Sequence, residues 1–130
     1  MADDRETGRE RSPVKSLKDL IVWQRATELT VSIYKLTQPF PREEMFGLTS
    51  QLRRSAVSIP SNIAEGQGRL TTGEFRQFLG VARGSNCELQ AQIEIARALG
   101  FGDSARIKQA ESLSVEVGKM INAILLSLGS

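Results

Sequence analysis

Residues 47–69 read GLTSQLRRSAVSIPSNIAEGQGR, and the spacing of residue types in this stretch decides the fold class. Leu48, Leu52, Ser55, Ile59 and Asn62 follow at steps of four and three, with Ala56 and Ile63 beside them. Met45 continues the row upstream. Such spacing lays an apolar and small-residue ribbon along one side of a helix. Four features mark this helix. Ser55, Ala56, Ser58, Ser61, Ala64 and Gly66 keep it narrow. Pro60 stands inside it, Arg53 and Arg54 stand side by side, and SNIAEG follows the proline.

The same reading extends outward. Gly66 and Gly68 end the helix, and Thr71 with Glu74 has the spacing of a capping box. A third stripe follows, through Phe75, Leu79, Ala82, Asn86, Leu89, Ile93 and Ala96, closed by Gly100 and Gly102. Asp103 or Ser104 caps a fourth, through Ile107, Ala110, Ser114, Val117, Ile121, Ile124 and Leu128. Upstream, Ser16 is the expected cap, with Asp19 near the positive helix end. Val22, Ala26, Leu29, Ile33, Leu36 and Phe40 form that stripe, and Trp23 and Tyr34 are expected to widen it. Pro39 and Pro41 stop the helix.

Pro41, Glu43 and Glu44 look like a helix opening, with Gly47 a break and Thr49 or Ser50 a restart cap. The expected helices are therefore about 17–37, 42–67, 72–99 and 104–128. No segment alternates with period two, and no Asn-Gly or Asp-Gly hairpin signal occurs. The fold class is all-α, an up-down-up-down antiparallel four-helix bundle.

A length of 130 residues fits one domain. Residues 1–15 hold four basic and four acidic residues and nothing to bury, the pattern of a disordered N-terminal tail. This N-terminus lacks the apolar core of a signal peptide, and the run MINAILLSL is too short to span a membrane. The one cysteine, Cys87, has no disulfide partner in the chain, which suits a reducing compartment. A cytoplasmic protein without membrane contact is expected. Its net charge of +2 is a weak attraction for nucleic acid on its own.

With no histidine in the chain, histidine-based triads, zinc sites and the Glu-x-x-His pairs of di-iron bundles are excluded. Cys87 reads as a small buried hydrophobe. No catalytic residue, metal site or cofactor is expected, so the chain reads as non-enzymatic. Pro60 removes the amide that would bond the Ala56 carbonyl, and Ser58, Ser61 and Asn62 are suited to relieve the freed groups. The bend either lets the helix wrap its neighbours or shapes a pocket or subunit contact. Pro60, Ser61, Asn62, Glu65 and Gly66 are its candidate residues. Small residues here, and Gly80 and Gly84 on the third helix, admit close approach of another backbone. Asn62 and Asn86 fall on seams, where polar residues fix register.

Arg53, Arg54, Arg76 and Arg83 have no acidic residue three or four positions away on their own helix. One reading pairs them between helices, with Glu88 opposite Arg53 and Arg54. The other gives them to nucleic-acid phosphates, for which arginine's planar fork is the favoured donor.

The segments SLKDLIVWQRATEL, FGLTSQLRRSAVSIPSNIAEGQGR, EFRQFL and GSNCELQAQIEIARALG resemble the four-helix bundle family of 23S ribosomal RNA intervening-sequence proteins. The likeness spans about residues 16–128. It implies a small bacterial bundle without established enzymatic activity, assembled as a homopentamer. It also implies a remote similarity to the accessory protein of diversity-generating retroelements, a basic pentamer that binds nucleic acid and assists a reverse transcriptase. This chain is less basic than that relative, yet five chains at +2 would give +10 and repeat each arginine cluster five times. The expected function is RNA or DNA binding, or help to a nucleic-acid-processing partner, through repeated arginine surfaces. A protein–protein scaffold without nucleic-acid contact is the alternative.

Overall fold

The computed structural model describes residues 17–129; the tail expected over 1–15 and the Ser16 cap lie outside the described residues. Four helices carry the fold: α1 Leu17–Thr37, α2 Leu48–Gln67, α3 Thr72–Ala98 and α4 Ser104–Ser127. No strand occurs among the described residues. Helix α1 packs on α2 and α4, α3 packs on the same two, and the diagonal pairs stay apart. Short links at 68–71 and 99–103 force antiparallel neighbours, so the chain runs up, down, up and down around a square.

The core is the four-and-three ribbon of each helix. Val22, Ala26, Leu29, Ile33 and Leu36 of α1 meet Leu52, Ala56, Ile59 and Ile63 of α2 in one buried cluster. Leu79, Ala82, Leu89 and Ile93 of α3 and Val117 and Ile121 of α4 complete it. Each large aliphatic chain so buried contributes about 1.5–3 kcal/mol over its exposed state.

The ribbon of α2 fails at its start. Instead of a helix from residue 42 there is a 3₁₀ turn, Arg42–Glu44, and α2 begins only at Leu48. Gly47 takes a non-helical backbone at φ −109°, ψ −115° and serves as the N-cap. Neither Thr49 nor Ser50 caps the restart; Glu44 Oε1 accepts the Leu48 amide at 3.1 Å. The helical register therefore does not reach back to Met45, which is exposed, as is Phe46. Trp23 and Tyr34 also stay largely outside the core.

Pro60 lies within α2, half-buried. Relief of the Ala56 carbonyl comes from the neighbouring helix, not from α2's own serines: Thr30 Oγ1 of α1 lies 3.0 Å from it. One turn on, Asn62 Nδ2 donates to the Ser58 carbonyl at 2.7 Å.

Helices α2 and α3 make the most extensive contact. A Cβ on buried Gly66 would sit 2.9 Å from Phe78 Cβ and 3.0 Å from Phe75 Cδ1. Close approach there requires glycine. The Ser58 and Ser85 hydroxyls meet at 2.7 Å across the same seam. Gly80 and Gly84 behave differently: a Cβ on either would touch nothing within 4 Å, so neither serves packing inside the chain. Between α3 and α4, Asn86 Nδ2 donates to the Ser114 carbonyl at 2.9 Å, and Ser114 Oγ donates to Asn86 Oδ1 at 2.7 Å. This buried pair fits only one register of the two helices.

Candidate nucleic-acid interface

Three of the described arginines are held in ion pairs. Arg25 pairs with Glu28 and Glu116, each at 3.1 Å. Arg69 reaches Glu65 at 3.2 Å and Glu74 at 3.8 Å while lying over the Phe78 ring. Arg97 pairs with Glu94 and, at 2.8 Å, with Glu111 across the α3–α4 groove. The hydrogen bond that Arg25 donates to Glu116, and the charge of Glu28, raise the Arg25 pKa. The Arg97 hydrogen bond holds Glu111 below the ordinary carboxylate range, and the same contact raises Arg97.

Among the described residues, no carboxylate pairs with Arg53, Arg54, Arg76 or Arg83. Arg53 Nε donates to Thr37 Oγ1 at 2.8 Å, and its guanidinium carbon lies 4.6 Å from the Tyr34 ring centroid. These contacts hold the side chain across α1 and α2 without neutralising its charge. Arg54 is exposed and borders two grooves. One is lined by Tyr34, Met45, Phe46, Arg53 and Val57, the other by Ser55, Ser58, Ser85 and Glu88. Glu88 does not pair with either arginine; it accepts the Ser55 hydroxyl at 2.9 Å.

Arg76 and Arg83 lie in the α3–α4 groove with Asn122, Leu125 and Leu126. Arg76 donates to the Gly129 carbonyl, where the end of α4 offers partial negative charge. The structure thus brings the four arginines together as two pairs, in different grooves, rather than as one patch.

The residues expected around the Pro60 bend also separate. Gly66 is buried against α3, Asn62 is half-buried on Ser58, and Ser61 and Glu65 face outward. Asn86 sits apart from them in the α3–α4 seam. Cys87 is exposed, contrary to the buried position expected. Since residues 82, 86, 89 and 93 face the core, residue 87 turns outward, beside exposed Gly84 and Ala91. No group of three His, Cys, Asp or Glu side chains among the described residues could hold a metal. No helix there is long and apolar enough to cross a membrane.

One contributor escaped sequence reasoning. Thr30 lies off the apolar stripe of α1, and nothing local announces its cross-helix hydrogen bond to the Ala56 carbonyl.

Compared with models of known families, residues 18–123 match that of the 23S rRNA-intervening sequence protein. The chain belongs to this family. Its fold is similar to the crystal structure of a protein of unknown function from the S23 ribosomal protein family of Bacteroides thetaiotaomicron VPI-5482. The TM-score is 0.75 at 23% identity, covering 84% of this chain and 98% of that one. No curated protein sequence matches the chain.

Proposed function

We propose that this family member is a non-enzymatic, cytoplasmic homo-oligomer, a pentamer, that binds RNA or DNA through repeated arginine surfaces. In that role it would assist a nucleic-acid-processing partner such as a reverse transcriptase. One observation carries the reading. Arg25, Arg69 and Arg97 are neutralised by carboxylates, whereas Arg53, Arg54, Arg76 and Arg83 line open grooves without an acidic partner among the described residues. Unpaired guanidinium groups in grooves are suited to phosphate oxygens. Replacing all four by alanine should weaken filter binding to structured RNA while leaving helical circular dichroism unchanged. Equal affinity of the two proteins would overturn the reading.

A second reading has its own support. Gly80 and Gly84 face open space on α3, with exposed Val81 beside them and exposed Ile95 about three turns further along. Such a face suits a protein partner or another subunit, and the scaffold reading uses it without nucleic acid. Capture of one consistent protein partner from nuclease-treated lysate would favour it.

A further inference from the structure

The grooves that hold the unpaired arginines differ in their walls. The α3–α4 groove around Arg76 and Arg83 has aliphatic Leu125 and Leu126 but no aromatic lining residue. The α1–α2 groove, about 580 Å³, sets Arg53 and Arg54 beside Tyr34, Met45, Phe46 and Val57, and none of its lining residues is acidic. Phosphate contacts use the two guanidinium groups and leave this apolar wall without a task. Phe46 is the extreme case at 92% exposure, a large ring that the core does not bury.

The ring is exposed, yet the backbone that carries it is held. On either side of Phe46, the Met45 amide donates to the Arg42 carbonyl at 3.1 Å and the Gly47 amide to the Glu44 carbonyl at 3.0 Å. The Leu48 amide reaches Glu44 Oε1, and the Gln51 amide closes on the Gly47 carbonyl at 3.0 Å, joining the link to α2. Phe46 is therefore presented from a fixed link, which lowers the entropy lost when a ligand settles on it. Arg53 is fixed as well. Thr37 accepts its Nε–H and the Tyr34 ring lies under its guanidinium, so its terminal N–H groups stay available to an anion.

Building on the proposed function, we infer that this groove binds single-stranded nucleic acid, with an unpaired base stacked on Phe46 and the flanking phosphates on Arg53 and Arg54. An aromatic face beside two guanidinium groups matches both halves of a nucleotide, the flat apolar base and the anionic linkage. In a duplex each base face is covered by its neighbours, whereas an unpaired base offers its face to the ring. Phosphate charge alone favours the duplex, whose charge density is the higher. A preference for the single strand is thus the signature of the ring. Every base has such a face, so the seat reads strandedness and not sequence.

Filter binding of the full chain to a mixed-sequence RNA strand without self-pairing, and to a blunt RNA duplex of equal phosphate number, tests this. The single strand should bind about tenfold more tightly, the order supplied by one base–aromatic stack. Phe46→Ala should erase most of that preference while leaving duplex binding unchanged. It should also leave the salt slope of single-strand binding unchanged, because stacking releases no counterions. Phe46→Trp should keep the preference. Alanine at Arg53 and Arg54 should weaken binding to both RNAs and flatten the slope. In light scattering Phe46→Ala should match the assembly size of the natural chain; a smaller assembly means that a second copy covers the ring, and overturns the seat. Equal binding of the two RNAs by the natural chain, or a preference that survives Phe46→Ala, also overturns it and leaves the arginine reading standing. Failure to bind either RNA overturns both.

Discussion

Thr30 Oγ1 lies 3.0 Å from the Ala56 carbonyl, the group that Pro60 leaves without its helical amide. The same hydroxyl is 2.9 Å from the Ala26 carbonyl, so its single proton serves an intrahelical and a cross-helix acceptor. A proline inside a helix ordinarily costs about 3 kcal/mol. Here a side chain from α1 offsets part of that cost and ties the proline-bearing turn of α2 to its neighbour.

The coupling is measurable. Thr30→Val should destabilise the protein by about 1 kcal/mol, the usual net loss for an intramolecular hydrogen bond. In a Pro60→Ala background, where the helix supplies its own donor, the same change should cost distinctly less. Urea unfolding of the four proteins gives the double-mutant cycle, and strict additivity would disconnect the two residues.

Glycines on the two sides of the bundle should respond oppositely to alanine. Gly66→Ala places a Cβ 2.9 Å from Phe78 Cβ and should destabilise by about 1–3 kcal/mol despite better helix propensity. Gly84→Ala meets nothing within 4 Å of its new Cβ and should stabilise the subunit by about 0.5–1 kcal/mol. Thermal melts distinguish them. A smaller assembly for Gly84→Ala in light scattering would place another subunit over this face.

Ser114→Ala should cost about 1–3 kcal/mol, because Asn86 Oδ1 then stays buried without the hydroxyl 2.7 Å away. Denaturant unfolding reads the loss directly. A change within error would mean that the α3–α4 seam relaxes to admit water.

Arg97 holds Glu111 below its ordinary pKa near 4.5. A carboxylate depressed in the folded state binds its proton more readily when unfolded, so the pair stabilises fully above that ordinary value. The contribution is lost as pH falls through the lower folded value. Both side chains are about 40% exposed, so the effect is small and screened by salt. Arg97→Met should therefore lose less stability on acidification than the natural chain, as followed by urea midpoints below about pH 5. Parallel pH profiles would contradict the assignment.

The apolar ribbons were legible because period decides them: each row on α1, α3 and α4 from Val22 to Ile124 is buried where spacing puts it. Met45 was misplaced because one glycine, Gly47, resets the helical register before α2. Cys87 was misplaced because composition was weighed over register, although Asn86 on the seam already turns its neighbour outward. The unpaired arginines were legible within their helices, but their division between two grooves depends on the rotation of α2 and α3 in the square. Thr30 was invisible for the same reason. Its partner, the Ala56 carbonyl, comes within reach only once two separate helices lie side by side.

The salt dependence of RNA binding tests the arginine account most directly. Each phosphate contact contributes about 0.7–0.9 to the slope of log affinity against log salt. Filter binding between about 50 and 200 mM salt should show a steep fall for the natural chain. Alanine at Arg53, Arg54, Arg76 and Arg83 should flatten that slope by about 3 for each subunit in contact with RNA. A slope unchanged by the four substitutions, or a natural chain whose affinity ignores salt, would contradict it.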